Sequence, residues 1–305
     1  MEDRILGNTG MKVSRIGIGL YEMGVSQQDD AVSRSEALLN LALDLGITLL
    51  DTAGCYGRSE EMIGAAVSHR REEFILATKT GHVTHEPYTP EPDEEAWSRK
   101  TIGMSIDRSL VRLRTDYLDL VQLHSPSLEI LEQSDAVSAL VKAKEEGKTR
   151  FIGYSGDNDD AARAIELGVF DTLQTSFNVV DQSARNYLDK AVDADLGIII
   201  KRPIANMSWV GGNSDYPSPS EYLDRARAMM EAGPLPDDLG DPVHLALGFL
   251  LSHKQVDTAI IGTTNPHHLR SNIEFVQEGV EPSSELVSEL YSRFDRLGEG
   301  WFGQG

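Results

Sequence analysis

The chain has 305 residues, of which 40% are apolar and 25% charged, and its formal net charge at pH 7 is -21. This is ordinary globular usage, and the length suits one large α/β domain or two smaller ones. The negative charge opposes the phosphates of nucleic acids and anionic membranes, and no basic run of useful length offsets it. The composition therefore disfavours a nucleic-acid partner or a membrane surface.

Two features bear on the compartment. No apolar run approaches the roughly 20 residues that span a bilayer, and the stretch MEDRILGNTG is acidic where a secretory leader is basic and then apolar. The single cysteine, Cys55, excludes an intrachain disulfide and a zinc cage built from cysteines, which fits a reducing compartment. We expect a soluble, cytoplasmic protein.

Apolar, β-rich runs alternate with helical periodicity along the chain. Most of these runs are continuously apolar, which is typical of strands that are covered on both faces. Eight strands are predicted, at residues 13–19, 47–53, 73–79, 117–124, 149–155, 171–177, 197–203 and 258–264.

The segments between the strands have helical periodicity with readable ends. Ser33 and Glu36 predict a capping box at the start of the first helix, and Gly46 lies where a C-terminal cap belongs. The apolar stripe expected along this helix comprises Ala37, Leu38, Leu41, Ala42 and Leu45. Further helices are predicted at 59–69, with Ser59 as its cap, and at 95–113, 134–146, 158–168, 182–194, 242–253, 266–277 and 283–297.

Eight strand–helix units in a chain of this length predict a closed (β/α)8 TIM barrel, with residues 1–305 forming one catalytic domain. A doubly wound open sheet is the main alternative. It is disfavoured because no G-x-G-x-x-G sequence opens a helix after any predicted strand. The terminal WFGQG is expected to cover one end of the barrel.

Two long connections interrupt the alternation, at 82–95 after the third strand and at 205–241 after the seventh. Long loops at the C-terminal face of a barrel usually build the substrate pocket. The aromatic residues predicted to wall that pocket are Tyr21, Trp97 and Trp209, with Tyr216 and Trp301 as further candidates.

Polar residues recur where the predicted strands end. Asp51, Lys79, His124, Ser155 and Gln174 lie at or near C-terminal strand ends, and Tyr56 lies in the loop after the second strand. In a closed parallel barrel these ends meet at one opening, so we expect the side chains to converge.

The converging groups suit protonation of an oxygen while hydride arrives at its carbon. The ordinary pKa of tyrosine is about 10, and an ammonium beside Tyr56 is expected to lower it. Lys79 supplies that ammonium, Asp51 keeps it charged, and a neutral His124 either orients a carbonyl oxygen or assists the proton transfer. Acyl transfer is disfavoured because no serine or cysteine has an evident base, and Cys55 is interpreted as a packed side chain.

Several stretches resemble the aldo-keto reductases. DTAGCYGRSE, LATKTG and DLVQLHSP are similar to that family's three catalytic motifs, and LGNTGMKVSRIGIGL is similar to its opening hairpin and first strand. FIGYSGDN, LQTSFNVVD, IIIKRPIAN and AIIGTTNPHHLRSNIE follow in the order that the resemblance implies. The resemblance implies a (β/α)8 barrel that takes NADPH, sometimes NADH, with Tyr56 as general acid, Lys79 and Asp51 tuning it, and His124 positioning the carbonyl.

The same resemblance implies cofactor contacts. Ser155 and Gln174 match the positions that hold the nicotinamide carboxamide, but Gly156 stands where asparagine is usual, so Asn178 is a candidate replacement. Lys201 stands where an aromatic ring usually stacks, and it is expected to contact the pyrophosphate or line the site, with Arg202 beside it.

The GTTN stretch leads into a helix with Pro266 in its first turn, which predicts an anion site at the helix N-terminus. Members that prefer NADPH place Lys or Arg where this chain has Gly262, Thr264 and His268, while Asn272 keeps its expected place near the adenine. A phosphate grip is expected from Thr263, Thr264, Asn265, His268 and Arg270, with NADPH the expected cofactor and NADH also possible.

The expected substrate is an aldehyde, ketone or sugar-derived carbonyl, or the corresponding alcohol in reverse. One alternative is a nicotinamide-binding regulatory subunit with slow turnover, because potassium-channel β subunits also resemble this family. A metal-dependent barrel hydrolase or lyase is disfavoured, because only His124 and Asp51 qualify as ligands at strand ends, and no metal is expected.

Overall fold

A computed structural model describes residues 2–28, 30–82, 84–85, 89–90, 96–210, 220–236 and 239–303, with only the backbone described at 84–85, 89–90, 209–210 and 220. The strands are β1 Asp3–Ile5, β2 Lys12–Ser14, β3 Ile16–Gly19, β4 Leu49–Asp51, β5 Ile75–Thr80, β6 Thr84–His85, β7 Thr89–Pro90, β8 Leu118–His124, β9 Thr149–Ser155, β10 Thr172–Ser176, β11 Gly197–Lys201 and β12 Thr258–Gly262. β3, β4, β5, β8, β9, β10, β11 and β12 form a closed parallel barrel in that order. The predicted fold is confirmed.

Helices surround the barrel and cover its outer face with a continuous apolar layer. They are α1 Tyr21–Val25, α2 Ala31–Asp44, α3 Ser59–Val67, α4 Arg99–Leu113, α5 Leu128–Gln133, α6 Ala136–Glu145, α7 Asn158–Leu167, α8 Leu188–Asp193, α9 Ser220–Glu231, α10 Pro242–Leu251, α11 Pro266–Glu278 and α12 Ser284–Leu297. Across the described ranges, no helix combines the length and the apolar character needed to cross a bilayer.

The first long helix starts earlier than its sequence signal predicts. α2 begins at Ala31 after Asp30, so the predicted capping box at Ser33 is wrong, and the Ser33 hydroxyl donates instead to the Asp30 carbonyl. Gly46 follows the helix with φ +87° and its N–H bonds to the Leu43 carbonyl, as its predicted role requires. The buried face of α2 also differs from the predicted stripe, because Ala37 is exposed. The buried residues are Ala31, Ser35, Leu38, Leu39, Ala42 and Leu43.

Other helix ends show the same small displacements. Ser59 is the first residue of α3 and not its cap, since its hydroxyl accepts from Thr52 Oγ1 at 2.8 Å. α4 begins at Arg99, where the Ser98 side chain accepts the Thr101 N–H, and not at the predicted 95. The predicted helix at 182–194 is a 3-10 turn, Ser183–Asn186, followed by α8. Pro266 opens α11 as predicted.

One end of the barrel is closed. β1 and β2 pair as an antiparallel hairpin across the N-terminal ends of the strands, which confirms the predicted opening hairpin. Leu6, Met11 and Val13 of this hairpin region are at most 4% exposed. They pack with Leu49, Ile75, Ala77, Leu120, Ile199 and Ile260 in an apolar cluster separate from the outer layer. The N-terminal half of the interior is therefore filled with side chains.

The opposite end, here called the mouth, is bounded by the carboxyl ends of the barrel strands. The strand register aligns Asp51 with Gly19, His124 with Ser155, and Ser155 with Gln174. The polar residues predicted at strand ends are therefore brought together at one level of the barrel. The C-terminal tail runs beside this edge: Gly303 exchanges two hydrogen bonds with the Asn158 side chain, at 2.7 and 3.0 Å, just beyond β9.

Candidate active site

A buried ion pair lies at the base of the mouth. Lys79 Nζ donates to Asp51 Oδ2 at 2.5 Å and to the Thr52 carbonyl at 3.0 Å, and the Lys79 and Asp51 side chains are 1% and 2% exposed. Burial lowers the pKa of Lys79, the charge and hydrogen bond of Asp51 raise it, and the net pKa is raised. Lys79 therefore stays an ammonium in a site with little access to water.

The second oxygen of Asp51 is also occupied. Gln174 Nε2 donates to Asp51 Oδ1 at 2.8 Å, and Ser155 Oγ donates to Gln174 Oε1 at 2.8 Å. These contacts make one chain of hydrogen bonds, from Ser155 through Gln174 and Asp51 to Lys79. The predicted role of Ser155 and Gln174 toward a carboxamide stays a prediction, and in this structure both residues help to hold the carboxylate.

Tyr56 lies beside this pair, in the loop after β4. The Lys79 ammonium is 5.1 Å from the centroid of the Tyr56 ring, and the ring keeps partial exposure to the mouth. Burial raises the pKa of Tyr56 above its ordinary value, the charge of Lys79 lowers it, and that of Asp51 raises it. The predicted effect of Lys79 has the right sign, but the predicted net lowering is wrong because burial outweighs it. Tyr56 is therefore protonated at neutral pH.

His124 ends β8 on the other side of Tyr56, with the two ring centroids 5.7 Å apart in an edge-to-face arrangement. Burial lowers the pKa of His124 well below its ordinary value, and the charge of Lys79 lowers it further. The ring is therefore neutral, as the sequence predicts. Its Nδ1 lies 3.3 Å from Cys55 Sγ, and burial raises the pKa of that thiol to about 11. The expectation that no cysteine lies beside a base is therefore wrong, because the His124 ring contacts Cys55, although the raised pKa keeps the thiol protonated at neutral pH.

A second charged group lies at the ends of β9 and β11, and sequence reasoning missed its key member, Asp157. Lys201 Nζ is 3.0 Å from Asp157 Oδ2, and Arg202 lies at 3.9 Å from the same oxygen. Asp157 also accepts from the Ser176 N–H at 2.6 Å and from Thr175 Oγ1 at 2.8 Å. Burial raises the pKa of Asp157, but Lys201 and these donors outweigh it, so the net pKa is lowered and the carboxylate is charged.

The geometry around Gly156 explains its place in this chain. A side chain at Gly156 would overlap the hydroxyl and ring of Tyr154, which donates to the Pro126 carbonyl at 3.2 Å. The Asn178 amide donates to the Arg202 carbonyl at 3.0 Å and accepts from the Val180 N–H at 2.9 Å. Its suggested contact with a carboxamide stays a prediction.

The predicted phosphate segment follows β12. Gly262 is exposed at the mouth, the Thr263 side chain is 9% exposed, and Thr264 is partly exposed. Asn265 caps α11 by accepting the His267 N–H at 2.9 Å, so one of the helix N–H groups is already bonded. The remaining predicted contacts differ in access, since His268 and Arg270 are exposed and Asn272 is buried.

Glu22 of α1 also lies at this edge. A Cβ atom built on Gly262 would be 3.0 Å from Glu22 Oε1. Burial raises the pKa of Glu22 to about 7, so this carboxyl group changes charge near neutral pH. Position 262 therefore carries no basic side chain, and the neighbouring Glu22 carboxyl group is negatively charged above about pH 7.

The three predicted substrate-contact aromatics have different surroundings. Tyr21 is 50% exposed and meets the Tyr56 ring edge-on with centroids 5.1 Å apart. Trp97 is 3% exposed and its ring lies against Gly81 and His82. The Trp209 side chain and Tyr216 lie outside what the structure describes, as do 86–88, 91–95 and 211–219 of the long connections. Trp301 packs on Phe294 and is part of the tail.

Besides Asp157, sequence reasoning missed Glu22 and His82. His82 follows β5 directly, and its ring stacks on His124 with centroids 4.6 Å apart and planes at 25°. Asp157 and His82 each come two or three residues after a predicted strand end, so extending the search into the loops would have found them. Glu22 carries no comparable signal, because its relevance depends on contact with a strand 240 residues away.

Comparisons with known proteins agree with this geometry. The model of the Aldo/keto reductase family matches residues 15–289. L-galactose dehydrogenase of Arabidopsis thaliana is 30% identical over 312 residues, covering 95% of this chain and 93% of that protein. A candidate voltage-gated potassium channel subunit beta of Schizosaccharomyces pombe is 25% identical over 334 residues, covering 96% of this chain and 92% of that protein.

Solved structures point the same way. An aldo-keto reductase of Bacillus halodurans in its holo form superposes with a TM-score of 0.80 at 26% identity, covering 96% of each chain. The family match spans most of the barrel and includes the loop of Tyr56, the ion pair of Asp51 and Lys79, and His124. The chain belongs to the aldo-keto reductase family.

Proposed function

We propose that residues 1–305 form one catalytic domain that reduces an aldehyde or ketone to an alcohol, or catalyses the reverse, with a nicotinamide cofactor. The observation that carries this proposal is the grouping of Tyr56 and His124 above the buried pair of Asp51 and Lys79. We further propose cytoplasmic action, in keeping with the free thiol of Cys55.

The residues at the mouth fit a nicotinamide dinucleotide. Gly19 and Gly262 end neighbouring strands without side chains, so a ligand can approach their backbone closely. The segment from Gly262 to Asn265 leads into the N-terminus of the 13-residue helix α11, where helix N–H groups and the dipole favour phosphate. Ser155 and Gln174 are the proposed carboxamide contacts, and Asn272 lies near the proposed adenine end.

The family precedent favours NADPH, while the side chains at the phosphate segment leave NADH a serious alternative. Gly262, Thr264 and His268 supply no permanent positive charge, and the exposed Arg270 is the remaining cation of the proposed phosphate grip. Lys201 and Arg202 lie near the mouth but are committed to Asp157. We therefore propose that Lys201 and Arg202 line the cofactor site while Asp157 holds their side chains in place.

The proposed roles follow from the charges of the groups. A bound nicotinamide supplies the hydride that reduces the carbonyl carbon. Tyr56 donates its phenolic proton to the carbonyl oxygen as negative charge develops there, a contribution typically worth about 10²–10⁴ in rate. The Lys79 ammonium then stabilises the phenolate, and solvent returns the proton. Asp51 keeps Lys79 charged and oriented.

His124 is proposed to orient the carbonyl oxygen. Its Nδ1 faces the Cys55 thiol, which is protonated at neutral pH and can donate to it. The proton of the neutral ring then resides on Nε2, which is the donor needed by a carbonyl oxygen. In the direction of alcohol oxidation the same nitrogen holds the hydroxyl oxygen.

The substrate class is proposed as a small carbonyl compound, with hydroxylated or sugar-derived carbonyls first. Its support is the 30% identity to L-galactose dehydrogenase over most of both chains. The similarity to a candidate potassium channel subunit beta supports a second function, a nicotinamide-binding regulatory subunit with slow turnover.

The test is cofactor binding followed by turnover. Fluorescence titration of the full chain with NADPH and NADH identifies the tighter cofactor, which is then used with a panel of aldehydes, ketones, aldoses and sugar alcohols. We expect Tyr56→Phe to lower carbonyl reduction by about 10²–10⁴ while cofactor affinity changes by less than about twofold. Tyr117→Phe is the matched control, because Tyr117 stacks on Arg71 at the closed end of the barrel.

The outcomes separate the two functions. Near-normal turnover by Tyr56→Phe would refute Tyr56 as the proton donor. Tight cofactor binding with uniformly slow turnover by the unsubstituted chain would favour the regulatory function, and failure to bind either cofactor would remove both.

A further inference from the structure

Three potential metal ligands meet at the mouth from three loops or strand ends. Cys55 follows β4, His82 follows β5, and His124 ends β8, and these are consecutive strands of the barrel. One ligand atom from each, a thiol sulfur and two ring nitrogens, lies within 4.8 Å of the other two. This grouping differs from the cysteine cage that a single cysteine excludes.

One ligand–ligand distance already matches that of a tetrahedral zinc ion. Zinc binds sulfur at about 2.3 Å and imidazole nitrogen at about 2.0–2.1 Å, which places tetrahedral S and N ligands roughly 3.5 Å apart. Cys55 Sγ and His124 Nδ1 are already 3.3 Å apart. The His82 ring is exposed and stacks on His124, so binding requires it to turn out of this stack and bring a ring nitrogen to the ion.

The chemistry of the three ligands selects the cation. Thiolate and imidazole together favour Zn²⁺ over Mg²⁺ and Ca²⁺, which prefer oxygen ligands. On binding, the S–H bond of Cys55 breaks, its proton passes to water and a sulfur–zinc bond forms. The net charge of -21 raises the local concentration of any cation at the surface.

We propose that Cys55, His82 and His124 form an exchangeable site for a soft divalent cation, best matched by Zn²⁺, with a solvent molecule as fourth ligand. Occupation of this site binds Nδ1 of His124 to the cation in place of the Cys55 thiol proton, and it adds a positive charge beside Tyr56. Zinc therefore inhibits carbonyl reduction reversibly, and this second part rests on the proposed function. The ion acts as an inhibitor, and the reaction proposed above does not use it.

Metal binding is tested without reference to activity. The metal-free full chain is titrated with Zn²⁺ against a chromophoric chelator, in excess Mg²⁺ to mask weak sites on the acidic surface. We expect one zinc per chain, with affinity lowered at least about tenfold in Cys55→Ser and in His82→Ala, since losing even an outer-shell partner costs about 10–100-fold. His69→Ala is the matched control, because His69 is exposed in the 3-10 segment that precedes β5.

Cobalt identifies the sulfur ligand. Co²⁺ at the site should give a near-ultraviolet thiolate-to-metal absorption that Cys55→Ser abolishes and His69→Ala retains. Wild-type zinc affinity in both Cys55→Ser and His82→Ala, or a cobalt spectrum without the thiolate band, overturns the proposed site. Unchanged melting temperatures of the metal-free variants confirm that a loss of binding is not a loss of folding.

Inhibition is measured separately as the rate with zinc divided by the rate of the same variant without zinc. We expect stoichiometric zinc to abolish turnover by the unsubstituted chain and a chelator to restore it, with Cys55→Ser protected by about tenfold in zinc concentration. Zinc binding without any carbonyl reductase activity would refute the proposed function and leave the site intact. Turnover that stoichiometric zinc leaves unchanged would refute the inhibition.

Discussion

Replacing Asp51 with asparagine removes the counter-charge of a fully buried ammonium. The Lys79 and Asp51 side chains are 1% and 2% exposed and lie 2.5 Å apart at their charged atoms. Asparagine has nearly the same shape, and its carbonyl oxygen can still accept from Gln174. The substitution therefore isolates the effect of the charge.

The expected cost is large because the remaining charge keeps its desolvation penalty. Removing one partner of a buried pair typically costs about 3–5 kcal/mol, a large part of the roughly 5–15 kcal/mol that stabilises a folded domain. At about 2 °C per kcal/mol for a chain of this size, the melting temperature should fall by roughly 6–10 °C. Replacing both partners by neutral groups of similar size is often close to neutral, so Asp51→Asn with Lys79→Met should recover most of the loss.

The assay is urea unfolding of the two single variants and the double variant at fixed pH. The matched control is Asp224→Asn, which breaks a pair with Arg227 whose side chains are 75% and 68% exposed, and should change stability within experimental error. Single-variant losses below about 1 kcal/mol, or a double variant as unstable as the sum of the singles, would contradict the account of a buried, coupled pair.

The pH dependence gives an independent signature. In the unsubstituted chain Asp51 raises the pKa of Lys79, so the stabilising contribution of Lys79 is present below the ordinary lysine pKa and is lost as pH rises through the raised value. In Asp51→Asn the desolvation of Lys79 acts alone and lowers its pKa. Between this lowered pKa and the ordinary lysine pKa, the unfolded state then binds more protons than the folded state. The stability of the variant should therefore increase with pH up to the ordinary lysine pKa.

Two further predictions concern Gly156 and Glu22. Gly156→Ala should destabilise the protein by about 1–3 kcal/mol because the new Cβ overlaps Tyr154. Gly103→Ala lies in open space within α4 and should stabilise the protein by about 0.5–1 kcal/mol. Chemical unfolding of both variants tests whether the space around each glycine decides the sign of the change in unfolding free energy. The pKa of Glu22 is about 7, so its carboxyl group gains a negative charge between pH 6 and pH 8. The dissociation constant for NADPH should therefore rise by about threefold over this range, which is the effect of one charge at roughly 7 Å in water. Glu22→Gln should show no such rise. Equal pH profiles for the two proteins would place Glu22 away from the cofactor.

The barrel could be predicted because its signals are local. Each strand is a continuous apolar run, and every polar residue that ends a run, such as Asp51 or His124, marks the same edge of the sheet. The closed parallel topology then brings these ends together without further information. Helix starts were less accurate, since α2 begins at Ala31, before the predicted cap Ser33, and no side chain caps it.

The properties that were mispredicted depend on long-range contacts. The bond from Gln174 to Asp51 joins residues 123 positions apart, and neither residue type reveals the other as its partner. The net pKa of Tyr56 is a balance between burial and two opposing charges, and the motif predicts only the sign of the Lys79 contribution. Asp157 was missed because its role depends on Lys201, which is held from a strand two positions away in the barrel.

The closed N-terminal end of the barrel has a consequence for kinetics. Because Leu6, Met11 and Val13 fill this end, ligands can enter the described part of the barrel only through the mouth. The ligand that binds deeper must therefore bind first and dissociate last. The proposed dinucleotide, seated against the strand ends, should therefore bind before the proposed carbonyl substrate above it and leave after it. Product inhibition patterns should show compulsory order, with the dinucleotide as leading reactant and its spent form as the final species released.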